Sequence, residues 1–208
     1  MPNTKELELM IKEYNSWFKN HGDSHESVGW NKPKHNLRFK HLLGPWINVI
    51  NKSSNLLTVG DLGCGLAHLN DFIISKNILI KYLGIDVNSN LIEKCKEKYP
   101  KSIFECCSVE DIKEDCDIFI ASGLFNRKFK DSEIFLKDVI TNALIKCKYG
   151  VSFNVLSSTA LSFNKNNFYC PFSLIEEIVK DRVLCDGFYI DGSSIPGEIT
   201  VTIFKKSP

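Results

Sequence analysis

The sequence predicts an α/β protein: a seven-stranded, mostly parallel sheet with an antiparallel final hairpin, helices on both faces and a helical lid at the N-terminal end. Three observations carry this reading. From residue 56 onward, short apolar runs alternate with amphipathic stretches, the signature of βαβ units. A glycine-rich turn, Gly63-Cys64-Gly65, follows the first of these runs. The last two runs are joined by Asp191-Gly192-Ser193-Ser194-Ile195-Pro196-Gly197, whose turn residues favour an antiparallel pair without a crossover helix.

The elements follow in order. Leu7, Met10, Ile11, Tyr14, Trp17 and Phe18 recur at helical spacing behind Thr4, a suitable N-cap. The stretch from His21 to Trp30 has no periodicity of either kind. A second helix carries Phe39, Leu42, Leu43, Trp46, Ile47 and Ile50 on one face. Strands are expected at Leu56–Asp61, Ile80–Asp86, Ser102–Cys107, Asp117–Ala121, Gly150–Leu156, Val183–Ile190 and Glu198–Lys205. Helices are expected to begin near Leu66, Ser89, Ser132 and Phe172, with Ser89 and Ser132 as N-caps. Residues 1–52 thus form the N-terminal helices and lid segment, and 53–208 the main domain, packed as one compact unit.

Composition narrows the function. Of 208 residues 43% are hydrophobic, enough for a sizeable core and too many for a disordered chain. Lys and Arg total 26 against 25 Asp and Glu, a formal net charge of +1, which argues against a dedicated nucleic-acid binder. No apolar run approaches the ~20 residues needed to cross a bilayer. Glu6 and Glu8 without an apolar core segment make a signal peptide unexpected. The eight cysteines show no C-x-x-C pair and mostly sit in apolar runs, so they are expected to be buried, reduced thiols in a cytoplasmic protein. Asp and Glu are scattered, and no metal site is expected.

The chemistry concentrates in two motifs. Val59-Gly60-Asp61-Leu62-Gly63-Cys64-Gly65 places two glycines at a strand-to-helix turn, where backbone amides approach a ligand closely. A dinucleotide fingerprint needs a third glycine where His68 stands, so a pyrophosphate grip is disfavoured. Asp61 would repel a diphosphate but suits a cationic ligand end such as an α-ammonium group. Twenty-five residues later, Asp86 ends the second strand in Gly84-Ile85-Asp86, the position from which a carboxylate accepts from both hydroxyls of a ribose.

Together, Asp61-x-Gly63-x-Gly65 and Gly84-Ile85-Asp86 resemble the class I S-adenosylmethionine-dependent methyltransferases, whose Rossmann-like sheet has the same outline. The resemblance implies that Gly63, Gly65, Asp86 and Val87 hold the cofactor, that Val109 and Glu110 frame its adenine, and that Ser122 and Gly123 border the methyl group. The loop Ser122-Gly123-Leu124-Phe125-Asn126 lacks the Asn/Asp-Pro-Pro-Tyr/Phe tetrapeptide of methyltransferases that act on exocyclic amino groups. A tighter similarity, to a group of small bacterial methyltransferases, runs through Ser27-Val28-Gly29-Trp30, Leu37-Arg38-Phe39, Ser122-Gly123-Leu124-Phe125-Asn126, Phe153-Asn154-Val155-Leu156-Ser157, Phe168-Tyr169-Cys170-Pro171 and Glu198-Ile199-Thr200-Val201. Some members resemble enzymes of surface-glycan tailoring. Cys170 departs from that group, which more often has Asp there.

Other candidates come from the residues themselves. The polar loop His21–Trp30 suits a lid over the cofactor, with Trp30 either against the sulfonium or in the core. With 23 lysines and three arginines, an arginine marks a need for bidentate geometry. Arg38 is expected to clamp the cofactor's carboxylate and Arg127 to meet an anionic substrate; surface or capping roles are the alternatives. Asn126 and Tyr169 are acceptor-side candidates, and His25 is a candidate base for a hydroxyl acceptor. The expected function is methyl transfer from S-adenosylmethionine to a small polar acceptor, at oxygen, in surface-glycan or nucleotide-linked precursor tailoring, with neither nucleic acid nor membrane as partner. The alternative is a non-catalytic nucleoside-binding module or partner subunit that binds the cofactor without turnover.

Overall fold

The computed structural model describes residues 4–28, 35–180 and 184–205. Its helices are α1 (Thr4–His21), α2 (His35–Leu43), α3 (Ile47–Lys52), α4 (His68–Ser75), α5 (Ser89–Lys98), α6 (Ser132–Lys146) and α7 (Phe172–Val179). Its strands are β1 (Thr58–Leu62), β2 (Lys81–Asp86), β3 (Ile103–Cys106), β4 (Cys116–Ala121), β5 (Cys147–Ser157), β6 (Tyr169–Cys170), β7 (Cys185–Asp191) and β8 (Glu198–Lys205). The sheet order is β3-β2-β1-β4-β5-β8-β7, with the two-residue β6 beside the end of β5. β1 to β5 pair in parallel, and β8 runs antiparallel to both β5 and β7.

Alternation along the strands builds two cores. In β4, Ile118 and Ile120 face one layer while Phe119 and Ala121 face the other. The first layer packs α2 to α5 residues (Phe39, Leu42, Trp46, Leu69, Phe72, Ile92) on Val59 and Tyr82. The second packs α6 and α7 (Leu136, Val139, Ile140, Ile175) on Leu83, Phe119, Phe153 and Val201. Trp46 is fully buried and donates its indole N–H to Ser152 Oγ at 2.7 Å. Ser152 Oγ lies 2.6 Å from Thr202 Oγ1, so this polar thread crosses from helix to β5 to β8.

The structure shifts several expected boundaries for identifiable reasons. The expected second helix is broken: Pro45 forces a 3₁₀ turn, Gly44–Trp46, between α2 and α3. α4 starts at His68, not near Leu66, because Ala67 is left-handed at φ 58°. The α5 cap is Asn88, whose side chain accepts from Asn90 N, not Ser89. Ser132 lies inside α6, and its hydroxyl closes the turn from Phe129. β5 begins three residues early, and the start expected for the seventh strand, Val183, lies outside the described residues. Six cysteines are buried, Cys107 is half-buried and Cys106 is exposed; none is in a disulfide. No described helix is long and apolar enough to cross a membrane.

Candidate active site

The order of the sheet reverses between β1 and β4, and ligands of open α/β sheets bind at the carboxyl ends of such strands. β1 leaves the sheet through Gly63-Cys64-Gly65. The amides of Gly63 and Cys64 both donate to the Ile85 carbonyl, at 2.8 and 3.0 Å, pinning the loop to β2. Gly63 and Gly65 have φ of 70° and 54°, and a Cβ on Gly63 would lie 2.8 Å from Leu124 Cδ1. The positive φ at both positions therefore favours glycine.

Asp86 is aimed by the same turn. Its Oδ2 accepts from Gly65 N at 2.9 Å and its Oδ1 from Asn88 N at 2.9 Å. Burial raises its pKa, while amides of Asn88, Gly65 and Val87 pull it back. The carboxylate stands in a cavity of about 140 Å³ walled by Gly63, Gly65, Val87, Leu91, Ser108, Val109, Ser122, Gly123 and Arg127. Ser122 Oγ is buried with no hydrogen-bond partner among the described residues.

Helix α1 roofs this cavity with Leu7, Met10, Ile11 and Tyr14. None of its residues is fully buried; Met10 packs on the core, and polar contacts tether the helix as well. Glu13 Oε2 pairs with Arg127 Nη2 at 2.5 Å, Asn88 Nδ2 donates to Asn15 Oδ1 at 2.9 Å, and Lys130 N donates to Glu6 Oε1 at 2.9 Å. Burial, reinforced by Asp86, pushes the Tyr14 phenol up to about 12, so it stays a neutral donor at ordinary pH. The chain after α1 is tethered too: Asp23 reaches Lys98 Nζ at 2.7 Å and His68 Nε2 at 3.6 Å.

The expected site residues divide. Gly63, Gly65, Asp86, Val87, Val109, Ser122, Gly123 and Arg127 line one cavity. Arg38 is not a clamp there: its guanidinium is buried in a bidentate pair with Glu198. Asp61 is buried against Tyr82, whose hydroxyl donates to Oδ2 at 2.6 Å, because Asp61 shares the face of β1 that carries Val59. Glu110 is exposed and lies 3.4 Å from Asn142 Nδ2, outside the cavity wall. Tyr169 does not reach the cavity; its hydroxyl accepts from Asn164 N at 2.7 Å and its ring packs on Phe163. Asn126 sits beyond the wall, its Oδ1 buried without a partner among the described residues. The His25 side chain and Trp30 lie outside the described residues. Among those residues, no group of three or more His, Cys, Asp or Glu is arranged to hold a metal ion.

The buried position of Asp61 has a pH signature. Burial holds its pKa up at about 7, against the lowering effect of the Tyr82 hydrogen bond. The folded state therefore keeps a proton that the unfolded chain, with an Asp pKa of about 3.9, releases. This stabilising contribution is fully present below about pH 4 and is lost as pH rises through about 7. Urea unfolding of the ligand-free protein should show that decline, and Asp61→Asn should flatten it. An unchanged slope in the variant would assign the proton elsewhere.

No family model matches the sequence. Over 119 residues, 54% of the chain and 70% of the relative, it is 27% identical to Rv1506c of Mycobacterium tuberculosis, a protein provisionally named a methyltransferase. The fold superposes on the plantazolicin methyltransferase BpumL, solved with a monoazolic desmethylPZN analog and SAH, with a TM-score of 0.64, 14% identity and 97% of each chain covered. It also superposes on human N-acetylserotonin methyltransferase, solved with SAM, with a TM-score of 0.56 and 11% identity over 80% of this chain and 52% of that one. The chain has the class I methyltransferase fold. It spans about half the length of the human enzyme.

Within that methyltransferase fold, the residues that sequence reasoning passed over are those of α1. Tyr14, Met10 and Leu7 belong to an apolar stripe that reads equally well as ordinary helix-to-core packing. The available signal was position: the stripe precedes a polar loop and lies outside the alternating strand–helix pattern, so it had no assigned layer. Ser108 and Leu91 were likewise missed as wall residues, since only the strand-end positions beside them carry a motif.

Proposed function

We propose that the protein is an S-adenosylmethionine-dependent methyltransferase that alkylates a small polar acceptor at oxygen. One observation carries the reading: the Gly63–Gly65 turn and Asp86 are locked together by the Gly65–Asp86 hydrogen bond inside a single cavity at the switch point of the sheet. The cavity suits the cofactor's chemistry. Asp86 offers a carboxylate for the two ribose hydroxyls, Leu91, Cys107 and Val109 offer an apolar slot for a flat base, and Ser122 Oγ waits for a donor.

The sulfonium of the bound cofactor supplies a methyl group already primed to leave, so the protein's task is alignment. Asp86 fixes one end of the cavity, and Ser122 and Gly123 border the other. Leu7, Met10 and Ile11 of α1 keep water from the cavity, and Tyr14 contributes a neutral hydroxyl facing Asp86 and Arg127. A base is required only where the acceptor must lose a proton. His25 is our candidate for a hydroxyl acceptor, and Asn126 and Arg127 are our candidates for the acceptor side. The near-neutral charge and the Ser122-Gly123-Leu124-Phe125 sequence at the end of β4 favour a small oxygen acceptor over a nucleic-acid base. Tailoring of surface glycans or of nucleotide-linked precursors fits that chemistry.

A thermal-shift panel of S-adenosylmethionine, S-adenosylhomocysteine, NAD and NADP tests the reading. Saturation at a hundred times Kd stabilises by about 2.7 kcal/mol, a readily measured rise in Tm. The two sulfur ligands should raise Tm and the dinucleotides should not. A shift with NAD and none with S-adenosylhomocysteine ends the methyltransferase reading. Formation of S-adenosylhomocysteine on addition of an acceptor separates an enzyme from a binding module.

A further inference from the structure

Behind the loop that follows β4 runs a buried polar chain that lies outside the cavity wall. Arg38 of α2 donates from Nε to Glu198 Oε2 at 2.8 Å and from Nη2 to Oε1 at 2.6 Å. Asn154 of β5 donates from Nδ2 to the same Oε2 at 2.9 Å, and its Oδ1 accepts from the amide of Gly123 at 2.8 Å. Arg38, Asn154 and Glu198 are only 1%, 0% and 6% exposed.

Stability does not account for such a cluster. Removing an ion pair from water is costly, and well-packed apolar side chains of similar volume usually stabilise as well or better. Its own face of β5 and β8 also carries Ser152, Thr200 and Thr202, all buried, while Phe153, Val155, Ile199 and Val201 alternate to the opposite, apolar face. What the cluster supplies is direction. With its amide nitrogen held by Glu198, Asn154 cannot rotate, and its oxygen is left for Gly123. The peptide group is planar and trans, so fixing the Gly123 N–H also fixes the Ser122 carbonyl on the opposite side. Both residues of that peptide line the cavity, and Ser122 also carries the buried, unpartnered hydroxyl.

We propose that Arg38, Glu198 and Asn154 are positioning residues that set the Ser122–Gly123 peptide, and so hold the Ser122 carbonyl oxygen ready for a hydrogen-bond donor of the bound ligand. The effect on ligand affinity rests on the function proposed above; the effect on the Gly123 amide does not. Asn154→Leu keeps the branched shape at Cγ, with somewhat more bulk, and removes both hydrogen bonds. The double variant Asn154→Asp/Glu198→Gln exchanges carboxylate and amide, keeps one negative charge in the cluster and returns an acceptor to Gly123, while giving up the Arg38 Nε hydrogen bond.

Calorimetry with S-adenosylhomocysteine and the ¹⁵N–¹H signal of Gly123 test this together. Asn154→Leu should move the Gly123 signal, speed its hydrogen exchange and weaken binding by about tenfold, the size of one buried hydrogen bond. The double variant should recover most of the affinity and return the signal toward its original position, which a loss of general stability would not produce. Unchanged affinity in Asn154→Leu, with or without a moved signal, overturns the proposal, as does a double variant no better than the single one. If Asn154→Leu does not fold, Glu198→Gln carries the same two measurements, with a smaller change expected in the same direction. If the original protein itself does not bind S-adenosylhomocysteine, the cofactor reading fails; a stationary Gly123 signal in the variants then overturns the positioning as well, and a moved one upholds it.

Discussion

Replacing Trp46 by alanine is expected to destabilise the protein by about 3–5 kcal/mol, the range for truncating a large buried aromatic. Trp46 is fully buried between α2, α3 and the sheet, and its ring meets Phe204 edge-on at 5.1 Å. The alanine variant loses that packing and leaves Ser152 with Thr202 alone. Trp46→Phe should cost less, because most of the ring volume remains. Urea unfolding should show a lower midpoint with an unchanged slope. A loss below about 1 kcal/mol would mean that the N-terminal helices contribute little to the cooperative unit.

Asp86→Ala should weaken S-adenosylhomocysteine binding by about 1–3 kcal/mol, roughly 5- to 150-fold in Kd, through loss of charge-assisted hydrogen bonds. Two effects act together. The ligand loses an acceptor pair, and the Gly65 and Asn88 amides lose the carboxylate that organises the turn. Asp86→Asn keeps an acceptor and should fall between the two. Calorimetry decides: an unchanged Kd in the alanine variant would remove Asp86 from the ribose.

The sheet was legible because its strands are short apolar runs with polar or glycine ends, and burial on both faces leaves such runs no other use. Helix starts were less so. The shift of α4 depends on a left-handed Ala67, a conformation that alanine does not advertise. Within the site, the glycine turn and Asp86 were readable because backbone conformation and strand position dictate their roles. Asp61 was not, because its distance from the turn does not reveal which face of β1 it occupies, and that face turns it to the Tyr82 hydroxyl. The scarcity of arginine pointed correctly to bidentate geometry at Arg38. It could not name the partner, which stands 160 residues away in β8 and is met only in the folded chain.

The placement of β8 bears on how the protein comes to be folded. β7 emerges from synthesis before β8, yet joins the sheet only through it, and the whole register from Gly150↔Phe204 to Leu156↔Glu198 waits for residues 198–205. Until then β5 presents a long unsatisfied edge, exposed to pairing with a second nascent chain. The same insertion delivers Glu198 to Asn154. Nascent chains that have made β1 through β5 would hold the glycine turn and Asp86 but not the braced loop opposite, so competence to retain a ligand should arrive abruptly, with the last strand.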